Sequence, residues 1–155
     1  AGCSRATVHN HFPHAIPGIF EALAAETVET AVRRYRIDSK KYSGLDKPRH
    51  FVDLTADEFH KTGELAVVMV RASVEQTTNS AWPWGLGYQT TIDCYDEAAE
   101  DDDLPGTSVD LAEITHVHFY GSLYLWALGR LNDDRFLQSA KSSVDLAINA
   151  LQVSR

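Results

Sequence analysis

The segment from Ser108 to Leu151 carries the apolar pattern that most constrains how this chain can fold. Two apolar stripes run along its first part at three- and four-residue spacings, one through Leu111, Ile114, His118, Gly121, Leu125 and Leu128, the other through Phe119, Leu123 and Trp126. Such spacing predicts a helix that is apolar on two faces, and both faces must be covered. Gly129 and the polar residues 132–134 end this helix.

A last helix repeats the spacing at Leu137, Ala140, Val144, Ala147, Ile148 and Leu151. One stripe of this helical pair can pack on its own domain while the other packs on a partner chain. A homodimer formed through residues 108–151 is therefore one way to cover both stripes. The predicted interface residues are Leu111, Ile114, His118, Gly121, Leu125, Leu137, Ala140, Val144 and Ile148.

The rest of the chain also favours helices, and no segment has a convincing strand pattern. Further helices are predicted, in chain order, over residues 16–36, 51–60, 64–76 and 88–100. Residues 37–48 and 79–87 are predicted to be connections because they are rich in polar residues, glycine, proline or tryptophan. Asp53 or Thr55 is the predicted cap of the short helix at 51–60. The fold class is therefore all-α.

Composition places the chain among ordinary soluble proteins. It has 155 residues, of which 44% are hydrophobic and 23% charged, enough for one substantial core. The longest nearly uncharged apolar run, Leu65 to Val70, is far shorter than the roughly 20 residues that a membrane-spanning helix needs. Cys3 and Cys94 make no disulfide framework, which fits a reducing compartment. A cytoplasmic location is predicted.

Charge is distributed unevenly along the chain, whose net charge is −8. The first 50 residues carry 8 basic and 5 acidic side chains, whereas the remaining 105 carry 6 basic and 17 acidic ones. A basic end beside an acidic body would bring only that end to nucleic acid. Ordinary scatter over 50 residues is the alternative explanation.

Carboxylates and histidines raise the question of a metal site. The acidic run at residues 100–103 lacks the interleaved spacing of a calcium loop and is predicted to be a solvated loop. His116 and His118 diverge on a helix, and His11 and His14 lie on either side of a proline. Neither pair has the spacing of a helical metal site. No metal and no other cofactor is predicted.

Residues 2–12 read Gly-Cys-Ser-Arg-Ala-Thr-Val-His-Asn-His-Phe, the order expected of a turn followed by a DNA-reading helix. Gly2 suits a tight turn, and Ser4 can cap the helix that follows. Val8 and Phe12, four residues apart, can dock one face on a core. The other face is small or hydrogen-bonding, as entry into the major groove requires.

This segment resembles the recognition helix of the TetR family of transcriptional regulators, and its end, His9-Asn10-His11-Phe12, is similar to the family's aromatic-x-His-Phe pattern. The resemblance places Arg5, Ala6 and Asn10 at base edges, and Thr7, His9 and His11 at phosphates and sugars. Arg5 would then pair with guanine and Asn10 with adenine.

Residues 104–131 are also similar to the family, in a Pro-Gly-Thr entry at 105–107 and a Trp-Ala-Leu-Gly exit at 126–129. The resemblance implies two domains: the end of a helix-turn-helix domain with its connecting helix over 1–36, and a ligand-binding and dimerisation domain over 37–155. The family's DNA-binding domain has three helices, of which the segment at 2–12 would be the last. A longer regulator with two helices before it is therefore expected.

The function that the resemblance implies is transcriptional repression. A dimer would hold two reading helices about one DNA turn apart, roughly 34 to 36 Å, and so read a palindrome. A small-molecule effector in the helical body would release the operator, provided that it binds the released form more tightly.

The ligand-binding residues are predicted from side-chain chemistry, because aromatic walls with a few polar tips suit an apolar or aromatic effector. The candidates are Phe59, His60, Met69, Trp82, Trp84, Tyr88, Tyr95, His116, Phe119 and Tyr120. His116 and Tyr120, one helical turn apart, are the favoured polar contacts. An ordinary core position is the alternative for each of them.

Two other classes of function stay open. No nucleophile elbow, phosphate loop or paired-carboxylate motif occurs, so an enzyme is not predicted; a helical enzyme whose site assembles from distant residues is the alternative. The other is a helical ligand-binding or dimerisation module without DNA binding, because Ala15 stands where the family has a phosphate-binding lysine.

Overall fold

The structure is a computed structural model that describes residues 16–75 and 84–153. This part of the chain is all-α and contains no strand. Its elements are α1 (Ile16–Asp38), a 3₁₀ turn (Ser39–Lys41), α2 (Asp46–Thr62), α3 (Glu64–Glu75), α4 (Trp84–Ala98), α5 (Ser108–Ala127), α6 (Asp133–Lys141) and α7 (Ser143–Gln152). The helices predicted at 16–36, 64–76 and 88–100 are confirmed, with ends that differ by a few residues.

Two helices organise the bundle. α2 packs against α1, α3, α4, α6 and α7, and α5 packs against α3, α4, α6 and α7. The largest fully buried side chains of the described helices are Tyr95, Phe59, Phe136, Met69, Leu111 and Leu123. One continuous core therefore runs through the described helices.

α2 is longer than predicted and begins at Asp46. Pro48 lies in its first turn, where the missing N–H of proline leaves no helical bond unmade. The predicted caps are wrong, because Asp53 lies within the helix and the Thr55 hydroxyl donates to the Phe51 carbonyl at 2.9 Å. The helix ends at Gly63, whose φ of +55° favours glycine.

α5 has a defined start and end. The Thr107 side chain accepts from the Asp110 backbone N–H, and the Asp110 carboxylate accepts from the Thr107 backbone N–H, a reciprocal capping box. The chain leaves the helix at Gly129, where φ is +69°. The predicted helix from Ser108 to its glycine stop is confirmed.

The last predicted helix is wrong in one respect, because it is two helices. α6 and α7 meet at Ser142, whose hydroxyl donates to the Ser139 carbonyl at 2.8 Å. Such local side-chain bonds compete with continuous helical pairing. Leu137 and Ala140 therefore lie on α6, while Val144 and Ile148 lie on α7.

The acidic run at 100–103 is exposed, as predicted, and it also holds a neighbouring loop. An Asp101 carboxylate oxygen accepts from the Gly44 backbone N–H at 2.9 Å. An Asp102 oxygen accepts from the Leu45 backbone N–H at 2.8 Å. These bonds tie the end of α4 to the start of α2.

Candidate functional site: an internal cavity and an apolar surface groove

A small cavity lies inside the bundle between α1, α2, α4 and α5. The volume that the centre of a water molecule can occupy is about 20 Å³, which is enough for one water. The residues that line it are Val28, Phe51, Val52, Thr55, Gly87, Thr91, Thr115, His116, Phe119 and Tyr120. Of the predicted ligand-binding residues, the structure brings His116, Phe119 and Tyr120 to its wall.

The threonine hydroxyls of the wall are already engaged. Thr55 donates to the Phe51 carbonyl, and Thr91 donates to the Gly87 carbonyl, each at 2.9 Å. The Thr115 hydroxyl shares a hydrogen bond of 2.7 Å with the Tyr95 hydroxyl. The other polar side chains among the described residues of the wall are those of His116 and Tyr120.

Aromatic rings surround the His116 imidazole. The Tyr88 ring meets it edge-on with centroids 5.1 Å apart, and the Tyr120 ring lies at 4.9 Å. Phe119 packs edge-on against Tyr120 at 5.2 Å. Tyr88, another predicted ligand-binding residue, therefore touches the site through His116.

Burial favours the uncharged forms of the His116 imidazole and the Tyr120 hydroxyl. It lowers the pKa of His116 from 6.5 to about 4, and it raises the pKa of the Tyr120 hydroxyl above its ordinary value. Among the described residues of the wall, none is therefore charged at pH 7.

Several of the predicted ligand-binding residues do not line this cavity. Met69 and Tyr95 are fully buried core residues, and Phe59 stands behind the wall, with its ring 6.3 Å from that of Phe119. His60 belongs to a different cluster, where its Nε2 lies 3.3 Å from Asp133. Trp82 and the Trp84 side chain lie outside the described residues; the Trp84 backbone begins α4.

Sequence reasoning missed seven residues of the cavity wall. They are Val28, Phe51, Val52, Thr55, Gly87, Thr91 and Thr115. Most are aliphatic or threonine side chains, which look like ordinary core positions in a sequence. Gly87 gave no signal either, because the sequence assigned it to the connection at 79–87, whereas the structure places it within α4.

A second feature is an apolar groove on the outer face of α5 and α7, with α6 at its edge. Its lining residues are Glu113, Ile114, Val117, His118, Gly121, Ser122, Leu125, Ser139, Leu146 and Ala150. Val117 is 70% exposed, and Leu125 and Leu146 are exposed by 44% and 42%. Four predicted interface residues, Ile114, His118, Gly121 and Leu125, therefore lie together on this surface.

The other predicted interface residues lie outside this groove. Leu111, Ala140 and Val144 are fully buried within the single chain and cannot contact a partner unless the bundle opens. Leu137 and Ile148 are half-buried against the core. Spacing alone did not separate the inward stripe from the outward one, because both stripes are apolar.

The predicted DNA-binding residues, Arg5, Ala6, Thr7, His9, Asn10 and His11, lie outside the described residues. Within the described ranges, no group of three or more metal-ligating side chains could hold an ion. None of the helices described is both long enough and apolar enough to cross a bilayer.

Comparison with known proteins identifies no relative: no protein-family model matches the chain, and neither a curated protein nor a solved structure does.

Proposed function

We propose that this protein is a DNA-binding transcriptional regulator of the TetR type, a homodimeric repressor released from its operator by a small molecule. The observation that carries the proposal is the position of α1, both along the chain and against the cavity. This helix runs unbroken from Ile16 to Asp38, directly after the segment whose sequence resembles a recognition helix. Its Val28 side chain also lines the internal cavity.

A single helix therefore runs from residue 16, just after that segment in the sequence, to the cavity wall at Val28. A ligand that enlarges the cavity pushes against Val28 and so against α1, which changes where the start of α1 points. Release of DNA requires that the ligand bind the released arrangement more tightly than the DNA-bound one. The cavity thus supplies the effector site, and α1 supplies the connection.

The groove on α5 and α7 supports the dimer. Exposed aliphatic side chains gathered in one groove mark a protein contact more often than a solvated surface. A two-fold contact would use the same groove on both chains. Two reading helices held in this way can read a palindromic operator.

A helical ligand-binding and dimerisation module without DNA binding is the second candidate. It would use the same cavity and the same groove. The acidic body favours it, since 17 of the 22 acidic side chains fall after residue 50, where they repel phosphate. Only a DNA measurement separates the two.

Fluorescence anisotropy tests the proposal on the protein as its gene encodes it, with DNA from its own promoter region and unrelated DNA, at two salt concentrations. We expect salt-sensitive binding that prefers the promoter. Arg5→Ala should weaken promoter binding by about tenfold or more, because it removes a predicted base contact.

The matched control is Arg130→Ala, which removes the same charge from an exposed turn after α5. It should leave promoter binding close to that of the unaltered protein. Equal or absent binding to both DNAs would refute the regulator and leave the binding module.

A further inference from the structure

The outer face of α5 carries an apolar stripe that is symmetric about Gly121. Val117 lies four residues before Gly121, and Leu125 lies four residues after it. Ile114 and Leu128 lie seven residues before and after it, so that all five positions share one helix face. Val117, Leu125 and Leu128 are exposed by 70%, 44% and 41%, and Ile114 is half-buried. The stripe therefore has the same spacing of aliphatic side chains when it is read in either direction.

Nothing in the described part of the chain requires a glycine at the centre of this stripe. Glycine is unfavourable in a helix interior compared with alanine. A Cβ built on Gly121 would meet no heavy atom of the described residues within 4 Å. The residue is therefore not needed for packing within the described bundle. A glycine on an exposed helix face does allow the backbone of a second helix to approach closely.

The face around the stripe is large enough for a dimer contact. From Glu113, at one end of the groove, α5 rises about 22 Å to Leu128. Together with its neighbours α6 and α7 it is about 20 Å wide. The flat footprint is then about 450 Å² on each chain, or about 900 Å² for two, and a specific interface begins at about 1,000 Å². Because the relief of the side chains adds to a flat footprint, this face offers the area that a stable dimer needs.

Charge selects the direction in which two copies can meet. Asp110 and Glu113 are exposed near the start of α5, and no Asp, Glu, Lys or Arg follows them within the helix. A parallel contact would place each carboxylate against its own copy, which is unfavourable. An antiparallel contact centred on Gly121 separates the two Glu113 residues by about 24 Å along the helices, well beyond the screening length of about 8 Å.

We infer that two copies of this chain meet through α5 in antiparallel orientation and that the two helices cross at Gly121. Val117 of one copy contacts Leu125 of the partner subunit, and Ile114 contacts the partner's Leu128. The same patch on both chains then forms the contact, as two-fold symmetry requires. This inference rests on the proposed homodimer and assigns the arrangement of its two chains.

Disulfide trapping tests the pairing in full-length protein that carries Cys3→Ser, so that Cys94, which is fully buried, is the native cysteine that remains. Val117→Cys alone, or Leu125→Cys alone, puts each new thiol about 12 Å along the helices from its own copy. A disulfide needs Cα atoms within about 7 Å, so neither single variant should cross-link. The double variant brings the two positions together.

We expect mild oxidation to give covalent dimers of the double variant, and at least about tenfold less of them from either single variant. Non-reducing electrophoresis and mass spectrometry would measure the yields. Equal cross-linking of a single variant and the double variant, or no cross-linking of the double variant, would overturn the inference.

Gly121→Ala tests the close approach of the two helices. The added methyl group should raise the dissociation constant of the dimer about tenfold, measured by sedimentation velocity. Gly85→Ala is the matched control, because Gly85 is an exposed glycine on α4, outside the groove, and its Cβ would meet no described atom within 4 Å. Equal dissociation constants for the two variants would overturn the crossing at Gly121.

No DNA is present in these experiments, so they are independent of the promoter measurement. A protein that binds promoter DNA as a dimer but fails both tests would keep the proposed function and lose this arrangement of its chains.

Discussion

The indole N–H of Trp126 donates to a carboxylate oxygen of Asp133 at 2.8 Å and so joins the end of α5 to the start of α6. The other Asp133 oxygen lies 3.3 Å from His60 Nε2 on α2. The bond from Trp126, and then that from His60, hold the pKa of Asp133 below its ordinary value. Three helices therefore meet at this carboxylate.

Asp133→Ala should lower the midpoint of urea unfolding, because it removes the partner of a largely buried indole N–H. Asp134→Ala is the matched control, since both residues lie in the first turn of α6 and only Asp133 has the indole contact. The control removes the same favourable charge from the helix N-terminus. Equal midpoint losses in the two variants would show that the indole bond adds no stability.

Thr107→Ala should destabilise the protein by about 1 kcal/mol, the usual cost of losing a helix N-cap. The Thr107 side chain is the acceptor for the Asp110 backbone N–H at 3.1 Å, and it lies at the surface. Chemical denaturation would measure the loss. Thr107→Ser keeps the hydroxyl, so it should restore most of the stability; an equal loss in both variants would contradict the cap.

The all-α fold could be predicted because apolar spacing in this chain is regular and glycine stops the helices. Gly63 and Gly129 end α2 and α5 at positive φ, as their places in the pattern indicated. The break at Ser142 could not be predicted in the same way. Apolar spacing continues through it, and the side-chain bond from the Ser142 hydroxyl to the Ser139 carbonyl accompanies the interruption.

The candidate cavity could be predicted only in part. Its aromatic residues on α5 stand out in the sequence as candidate ligand contacts, whereas its aliphatic and threonine residues look like ordinary core positions. His116 and Tyr120 stand one turn apart on α5, so their proximity follows from helix geometry. Val28 and Gly87 reach the same cavity from α1 and α4. These residues come together only because α1, α4 and α5 pack against one another. The spacing of residues within one helix does not predict that packing.

The groove on α5 and α7 leads to a prediction about assembly. Leu125→Glu should convert a dimer to a monomer, because it puts a charge into an apolar contact where it would be buried unpaired. Sedimentation velocity across a concentration series would measure the change, and circular dichroism should show the helices retained. Leu146→Glu, on the other helix of the groove, should have the same effect.

Ile37→Glu is the control for these two variants. Ile37 is 78% exposed and lies near the end of α1, outside the groove. This change should leave the dimer intact. A native protein that is monomeric at every concentration, or a Leu125→Glu variant that remains dimeric, would rule out the groove as the interface.

His116 should make the protein less stable as the pH falls from 6.5 towards 4. Burial lowers its folded-state pKa to about 4, so in that window the unfolded chain binds a proton that the folded chain does not. Stability therefore rises with pH across this window and the contribution levels off above 6.5. The full difference corresponds to roughly 3 kcal/mol, at 1.36 kcal/mol for each pH unit.

His116→Gln separates this effect from the carboxylates and the other histidines, which titrate in both proteins. The glutamine variant should lose the part of the pH dependence that His116 contributes, whatever its stability at pH 7. Urea unfolding at half-unit steps from pH 4 to pH 7.5 would give the two curves. If the curves run parallel, the imidazole is protonated as readily in the folded protein as in the unfolded chain, and the wall of the cavity is open to water.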